Sequence, residues 1–179
     1  PKDLIEISID LAAAMIHVSG KATSFNKAKK IAKDLIKNGQ ALKKFKELIK
    51  LQGGDISFIN DYSRLPSSKF QHTINAPSNA FIKKVEGKRT GLACIEIGGG
   101  RVVKEDKIDL SVGFHFHAKV GDFVKKGGPL VTIHHNEKNK ASIEKIEENF
   151  LKNIYKFSKQ KAASPKLILE KNSYWSKKC

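Results

Sequence analysis

The hydrophobic residues of this chain change their spacing near Leu65-Pro66, and this change restricts the possible folds more than any other feature. Before it, apolar residues recur every three or four positions, which is the period of a helix. After it, several segments alternate apolar and polar residues, which is the period of a strand. Helices followed by strands indicate an α+β fold. We therefore predict a helical segment over residues 1–66 and a β-rich domain over residues 67–179.

Three apolar stripes predict three helices in the first segment. The first helix is expected between an Asp3 N-cap and Gly20, the second between a Ser24 cap and Asn38-Gly39, and the third ends at Gly53-Gly54. The stripes consist of Leu4, Ile7, Leu11, Met15 and Val18; Ala28, Ile31, Leu35 and Ile36; and Leu42, Phe45, Leu48 and Ile49. The opposite side of each helix is rich in lysine. We expect the apolar sides to be covered by one another or by a part of the protein outside this chain.

The second segment contains several strand patterns joined by turns. The predicted strands are Phe70–Ala76, Phe81–Val85, Ile108–His117, Leu130–His134 and Leu167–Leu169. Residues 120–130 form a turn-rich connector, and Ser142–Ser158 returns to helical spacing. Leu92–Ile97 fits either a helix or a strand. A polar tail with Tyr174 and Trp175 ends the sequence.

The net charge of +16 first raises the question of nucleic-acid binding. The 34 basic residues include only 3 arginines, whereas base and phosphate recognition favours the bidentate arginine side chain. The charge is also spread along the chain, without a known nucleic-acid-binding motif. These observations favour a lysine-coated surface, with nucleic-acid binding kept as an alternative.

No apolar run approaches the length of about 18 residues that a membrane span requires. The sequence opens with Pro1-Lys2-Asp3, without a starting Met and without the apolar core of a signal peptide. We therefore predict a cytoplasmic location and expect that an N-terminal part precedes this chain. Cys94 and Cys179 show no CxxC spacing, so neither a disulfide framework nor a thiolate metal site is expected.

Gly98-Gly99-Gly100-Arg101 is the most conspicuous local motif. Three glycines permit a tight turn, or alternatively an anion-binding nest of free N–H groups beside a cation. Asp109 is a candidate to cap or brace the turn after Arg101. As candidates for acid/base catalysis, Glu105, Asp106 and Asp109 are interpreted as ordinary solvated carboxylates of one loop or strand start.

Four histidines raise a metal hypothesis, because His115 and His117 share a strand face and His134-His135 lie on another predicted strand. No Asp, Glu or Cys completes a recognisable ligand spacing, so we predict no metal site. No Ser/His/Asp or Cys/His arrangement for nucleophilic catalysis can be assembled either.

Residues 121–133 resemble part of a biotinyl or lipoyl carrier domain. Such a domain presents one lysine at the tip of a hairpin, but here Glu137 occupies that position and Lys138 comes one residue late. A shift of one residue reverses the direction of a side chain on a strand. A stand-alone carrier-like β module without the modifiable lysine remains an alternative function.

Several motifs occur together in one order. They are Gln52-Gly53-Gly54-Asp55, Leu65-Pro66, Gly98 to Arg101, Lys104, Ile108 to Gly113, Lys119 to Asp122, and Pro129 to Ile133. In order and spacing, this set resembles the C-terminal part of the pyrimidine-nucleoside phosphorylase family, close to thymidine phosphorylases. The resemblance covers nearly the whole chain.

The resemblance implies an α/β-hammerhead domain, barrel-sandwich-like, from about residue 70, with residues 87–97 helical. It also implies that the helical segment 1–66 belongs to the larger α/β domain of the whole enzyme. It implies a pentosyltransferase of nucleoside salvage, in which inorganic phosphate displaces a pyrimidine base from C1′ and yields pentose 1-phosphate. The family's phosphate loop, its pyrimidine contacts and the potassium site of some relatives belong to an N-terminal part. No catalytic residue is therefore carried over, and the chain alone is expected to be architectural and inactive.

The resemblance also leads to expectations about partners and about one loop. The partners would be the N-terminal part of the same enzyme and a second subunit in a homodimer, with nucleoside and phosphate as substrates and no cofactor in this chain. We expect a loop to help close the cleft over phosphate, through Gly98, Gly99, Gly100, Arg101, Lys104 and Asp109. The preference for thymidine or uridine is not set by this part.

Overall fold

The computed structural model describes residues 1–137 and 140–170. It divides into a helical unit, which comprises residues 1–60 and the stretch from 166, and a β-rich unit, residues 61–165. The helical unit contains α1 (Lys2–Val18), α2 (Phe25–Lys37) and α3 (Gln40–Leu51). Helix α1 packs on α2, and α2 packs on α3. The domain limits predicted from the sequence, 1–66 and 67–179, stay a prediction.

The ends of α2 follow the sequence signals, whereas the start of α1 does not. The Ser24 hydroxyl accepts a hydrogen bond from the Lys27 backbone N–H at 3.3 Å, as expected of an N-cap. Asn38 ends α2, and Gly39 follows with a φ of 78°. The prediction of Asp3 as an N-cap is wrong, because α1 already begins at Lys2 and Asp3 lies in its first turn. A carboxylate there still stabilises the positive end of the helix dipole.

The three helices bury very few large side chains. Helix α1 buries Ile9, Ala13 and Asp10, the last of which pairs with Lys29 of α2. Helix α2 buries only Ala28 and Ala32, and α3 has no buried residue. The expectation that these helices cover one another's apolar sides is therefore met only in small part by the described residues.

The β-rich unit contains six strands and two helices in its described residues. They are β1 (Phe70–Asn75), β2 (Ala80–Val85), α4 (Gly87–Glu96), β3 (Gly113–Phe116), β4 (Phe123–Val124), β5 (Pro129–His135), α5 (Lys140–Asn149) and β6 (Tyr155–Ser158). A π-helical turn, Phe150–Ile154, joins α5 to β6. Two short 3-10 turns, Ser57–Ile59 and Tyr62–Arg64, lie where the helical unit ends and the β-rich unit begins.

Two small antiparallel sheets build the β-rich unit, one in the order β1-β5-β3 and the other in the order β4-β2-β6. Neither sheet closes into a barrel among the described residues. Strand β5 pairs Val131 with both Ile74 and Phe116, which places all three side chains on one face. The α+β fold class is thus confirmed.

The core of this unit is formed by large side chains from both sheets, α5 and the π-helical turn. Phe150 is fully buried and meets Phe114 edge to face at 4.9 Å between ring centroids. The buried Tyr155 hydroxyl donates toward the backbone carbonyls of Ala118 and Leu130, at 3.1 and 3.0 Å. Burial, with a smaller contribution from Asp122, raises the pKa of Tyr155 well above its usual range.

Four strand and helix assignments differ from the sequence prediction. Strand β4 lies inside the predicted connector, residues 120–130. Residues Ile108 to Val112 are not a strand, because Asp109 holds a turn and only Gly113–Phe116 pairs with β5. The helix predicted over Ser142–Ser158 ends at Asn149, and its last residues form β6 against β2. Leu167–Leu169 is not a strand.

The ambiguous segment Leu92–Ile97 belongs to α4 up to Glu96, as the family resemblance implied. Tyr174 and Trp175 lie outside the described residues. Among the helices that the structure describes, none has both the length and the apolar composition needed to cross a membrane.

Candidate functional site

The loop from Gly98 to Asp109, here called the glycine-arginine loop, begins where α4 ends. Gly98 has a φ of 92°, a left-handed conformation that side chains other than glycine rarely adopt. Its N–H donates to the Ile95 carbonyl at 2.9 Å, and the Gly99 N–H donates to the Cys94 carbonyl at 2.8 Å. These bonds satisfy carbonyl groups at the end of α4, as in a helix C-cap.

The other two glycines are needed because the chain passes very close to the helix. A β-carbon on Gly99 would lie 2.6 Å from the Cys94 Sγ atom, and one on Gly100 would lie 2.6 Å from a side-chain carbon of Ile95. Since the N–H groups of Gly98 and Gly99 already donate to carbonyl groups, the alternative of a nest of free N–H groups is wrong at these positions. The tight-turn interpretation is confirmed.

Asp106, and not Asp109, braces the turn after Arg101. One carboxylate oxygen of Asp106 accepts hydrogen bonds from the backbone N–H groups of Val102 and Val103, at 2.9 and 3.0 Å. These bonds, that to Val103 first, lower the pKa of Asp106. Asp106 is still a partly exposed carboxylate, but it also holds this turn.

Asp109 closes the loop at its other end. Its N–H donates to the Gly98 carbonyl at 2.9 Å, so the two ends of the loop meet. Its carboxylate accepts from the hydroxyl and N–H of Ser111, at 2.6 and 2.9 Å, and from the Asn136 amide at 2.7 Å. These three hydrogen bonds, in that order, lower the pKa of Asp109.

Asn136 joins this network to the sheet. Its amide nitrogen also donates to the Ser111 hydroxyl at 2.8 Å, and its oxygen accepts from the Lys69 N–H at 2.8 Å. Asn136 lies just after β5 and Lys69 just before β1, which are paired strands. The Asn136 side chain thus anchors the glycine-arginine loop to the sheet at the point where β5 ends and β1 begins.

Arg101 and Lys104 lie on the exposed part of the loop. Neither makes an ion pair with another residue among those the structure describes. Val102 and Val103 beside them are also exposed. The loop therefore has a base held by hydrogen bonds and an outer part with cationic and apolar side chains, an arrangement suited to contact an anionic ligand.

The four histidines are not brought together into one cluster. The rings of His115 and His117 lie 4.5 Å apart, and His117 Nε2 is 2.8 Å from the Thr132 hydroxyl. Adjacent residues on a strand point to opposite faces, so His134 and His135 are separated by the sheet. His135 is buried beside Phe70. In the described part of the chain, no group of three or more His, Cys, Asp or Glu residues is placed to hold a metal ion.

The carrier-like segment does not present a lysine among the described residues. Strand β5 ends at His135, and the ring of that residue lies 3.0 Å from the Glu137 carbonyl oxygen. Glu137 therefore follows the strand where a carrier domain has its lysine. Lys138 lies outside the described residues.

Sequence reasoning missed Asp106 and Asn136 as residues that hold the loop. Asp106 bonds to N–H groups three and four positions earlier, outside a helix, and no local motif marks that arrangement. Asn136 acts on residues 27 and 67 positions away in sequence. The role of such a residue is visible only from contacts between segments that are distant in sequence.

Comparison with known proteins places this geometry in a family. Residues 81–154 match the family described as pyrimidine nucleoside phosphorylase C-terminal domain. This range contains the whole glycine-arginine loop together with Asn136, and it ends with the π-helical turn.

Similarity to individual proteins extends further along the chain. The pyrimidine-nucleoside phosphorylase of Bacillus subtilis is 38% identical over 168 residues, which cover 94% of this chain and 38% of the relative. That of Geobacillus stearothermophilus is 34% identical over 97% of this chain and 39% of the relative. A Staphylococcus epidermidis protein of the same name is 41% identical over 77% of this chain and 32% of the relative.

The chain thus spans less than two fifths of the length of the curated relatives that it matches. The matched domain is a C-terminal one, and the matched proteins carry one name. The family resemblance seen in the sequence is confirmed, and the chain belongs to the C-terminal part of the pyrimidine-nucleoside phosphorylase family.

Proposed function

We propose that this chain is the C-terminal part of a pyrimidine-nucleoside phosphorylase and that it is architectural, without activity of its own. The observation that carries the proposal is the extent of similarity: 94% of this chain matches 38% of a relative with that name. The reaction would be reversible phosphorolysis of thymidine- or uridine-type nucleosides. The stand-alone carrier module and the nucleic-acid binder have no observation that favours them.

In this reaction an oxygen of inorganic phosphate forms a bond to C1′ of the nucleoside. The bond from C1′ to the base nitrogen breaks, and its electron pair leaves with the base. Phosphate is already a nucleophile, so catalysis would come mainly from positioning and from stabilising charge. The groups that contact the pyrimidine, and a potassium ion if one is used, would belong to the N-terminal part.

The glycine-arginine loop would act by closing the cleft over phosphate. Arg101 and Lys104 are exposed and have no ion pair among the described residues, so they can approach an anion without first breaking a contact. Asp109 and Asn136 hold the base of the loop, and Asp106 holds its outer turn at Val102 and Val103. These bonds limit the conformational entropy lost on closure. Closure would also exclude water from the reacting phosphate.

The first experiment compares two proteins in one assay. The chain of 179 residues and the polypeptide encoded by the complete reading frame are each incubated with uridine or thymidine and phosphate. We expect free base only from the longer protein. Release of base by the chain alone contradicts the architectural role, and no release by either protein contradicts the phosphorylase.

The second experiment tests the loop with Arg101→Ala in the longer protein. A charge-assisted hydrogen bond contributes about 1.5–3 kcal/mol, so we expect the phosphate KM to rise or kcat to fall by about 10- to 100-fold. Arg89→Ala, which removes an exposed arginine of α4, is the matched control and should leave both constants near those of the unaltered enzyme. Unchanged kinetics for Arg101→Ala would make it a structural arginine.

A homodimer of the longer protein and a cytoplasmic location stay predictions. Sedimentation of the longer protein tests the first, and cell fractionation tests the second.

A further inference from the structure

The expectation of a lysine-rich opposite side is wrong for helix α1, which contains only one lysine. The helix is apolar on two opposite sides, and only one of them is covered. At 100° per residue, Leu4, Ile7, Leu11, Met15 and Val18 fall within an arc of about 80°. The buried residues Ile9 and Ala13 lie on the opposite side, against α2. The set Leu4, Ile7, Leu11, Met15 and Val18 is called the outer stripe below.

Four of the five apolar residues of the outer stripe are exposed, and Ile7 is half-buried. Leu11 is 56% exposed, and Met15 and Val18 are each 73% exposed. The charged residues of α1 (Lys2, Asp3, Glu6 and Asp10) all lie outside the stripe. Helix α2 differs, because its exposed side is rich in lysine, as is usual at a water-facing surface. A helix that is apolar on all sides is normally buried.

We propose that the outer stripe is the docking surface for the N-terminal part of the same polypeptide. This inference rests on one part of the proposed function, namely that this chain is the C-terminal part of a longer polypeptide. About three fifths of the Bacillus subtilis relative lies outside the match to this chain, so ample chain is available to supply the cover. The occupant is an apolar helix or sheet face, because the stripe offers no charge to pair with.

The dimensions of the stripe favour a segment of the same chain over a second copy. From Leu4 to Val18 it runs about 21 Å, and one helix is about 10 Å wide, which gives a footprint of roughly 200 Å². A standard interface between separate proteins buries about 800 Å² on each partner. A linked segment docks at high effective concentration, so a narrow surface is sufficient for it.

The test measures the reactivity of single cysteines with a maleimide. Cys94→Ser and Cys179→Ser remove the native thiols, after which Met15→Cys reports on the stripe. Glu6→Cys is the matched control, since Glu6 is exposed on the same helix but points away from the stripe. Leu11→Cys is a second reporter in case Met15→Cys impairs folding. Each variant is made in this chain and in the polypeptide of the complete reading frame.

We expect both Met15→Cys and Glu6→Cys to react rapidly in this chain. In the longer polypeptide, Met15→Cys should react at least ~10-fold more slowly than the control, which corresponds to about 1.4 kcal/mol of protection. Equal rates in the longer polypeptide overturn the proposal. Protection already present in this chain also overturns it: if it depends on concentration, a second copy is the occupant, and if not, another part of this chain is.

The activity of the longer polypeptide keeps the two proposals apart. Release of base together with rapid labelling of Met15→Cys supports the phosphorylase and overturns the docking surface. Slow labelling without release of base supports the docking surface and overturns the phosphorylase. A reading frame with no segment before Pro1 overturns the docking surface directly.

Discussion

The helical unit and the β-rich unit differ sharply in what they bury. The largest fully buried side chains of the described residues, among them Phe150, Tyr155 and Leu130, all belong to the β-rich unit. The buried apolar residues of the helical unit are Ile9 and three alanines. Since apolar burial is the main source of folding free energy, the two units cannot be equally stable by themselves.

The difference is between a unit with a core of large side chains and a unit that buries mainly alanines. The β-rich unit closes its core with both sheets, α5 and the π-helical turn. The helical unit forms three regular helices, one of which, α2, has a side-chain N-cap. Its described residues nevertheless lack an internal core of large side chains. Local sequence signals therefore do not by themselves indicate which part of a chain is independently stable.

The largest expected effect is that of Phe150→Ala. Removing a fully buried aromatic side chain should lower the free energy of unfolding by about 3–5 kcal/mol. Urea denaturation followed by near-ultraviolet circular dichroism measures this change. The control is Phe45→Ala in α3, whose side chain is 48% exposed and should contribute less than about 1 kcal/mol. Equal losses would abolish the contrast between the units.

Tyr155→Phe should have the next largest effect. It removes the hydroxyl that meets two buried carbonyls, which should lower stability by about 1–2 kcal/mol at neutral pH. Tyr62→Phe is the control, because Tyr62 is 74% exposed.

The raised pKa of Tyr155 also sets a direction for the pH dependence. The folded chain keeps the phenol proton above about pH 10, where the unfolded chain loses it. Stability from this group is therefore complete below pH 10 and decreases as pH rises toward the folded pKa. Urea titrations at rising alkaline pH should show a smaller decrease for Tyr155→Phe than for the unaltered chain. Identical slopes would contradict the burial of this hydroxyl.

Asn136→Ala tests whether one side chain anchors the glycine-arginine loop. The variant loses three hydrogen bonds at a partly exposed position, and we expect stability to fall by about 1 kcal/mol. Trypsin should also cleave after Arg101 and Lys104 more rapidly, because the base of the loop is loosened. Asn79→Ala, which releases only the Lys126 N–H of another turn, should not accelerate cleavage there. Equal rates of cleavage in the two variants would contradict the anchoring role of Asn136.

The smallest effect is expected for Leu11→Ala in this chain. Leu11 lies on the outer stripe and is 56% exposed, so its loss should change stability by less than about 0.5 kcal/mol. The same substitution in the polypeptide of the complete reading frame should produce a larger loss, if the stripe is covered there. Thermal unfolding of both pairs measures the difference. A large loss in the shorter chain would show that the helical unit is already packed.

The sequence was sufficient where structure depends on neighbouring residues. Ser24 predicts the start of α2 and the alternation from Phe70 predicts β1, because a cap and a pleated strand are local features. The sequence prediction failed at Tyr155–Ser158. The helical spacing of apolar residues continues there, but these residues form a strand because they pair with β2. For the candidate loop, the glycines and Arg101 were recognisable, whereas Asn136 acts only through distant contacts.

The hydrogen bond between the Asp109 N–H and the Gly98 carbonyl brings the two ends of the glycine-arginine loop together, so the length of the loop is independent of the rest of the fold. The loop leaves the surface and returns to it at one point, so residues can be inserted or removed near Lys104 without moving α4 or β3. Loop length then sets how far the cationic tip extends. A change of loop length near Lys104 would therefore alter this reach and leave the scaffold unchanged.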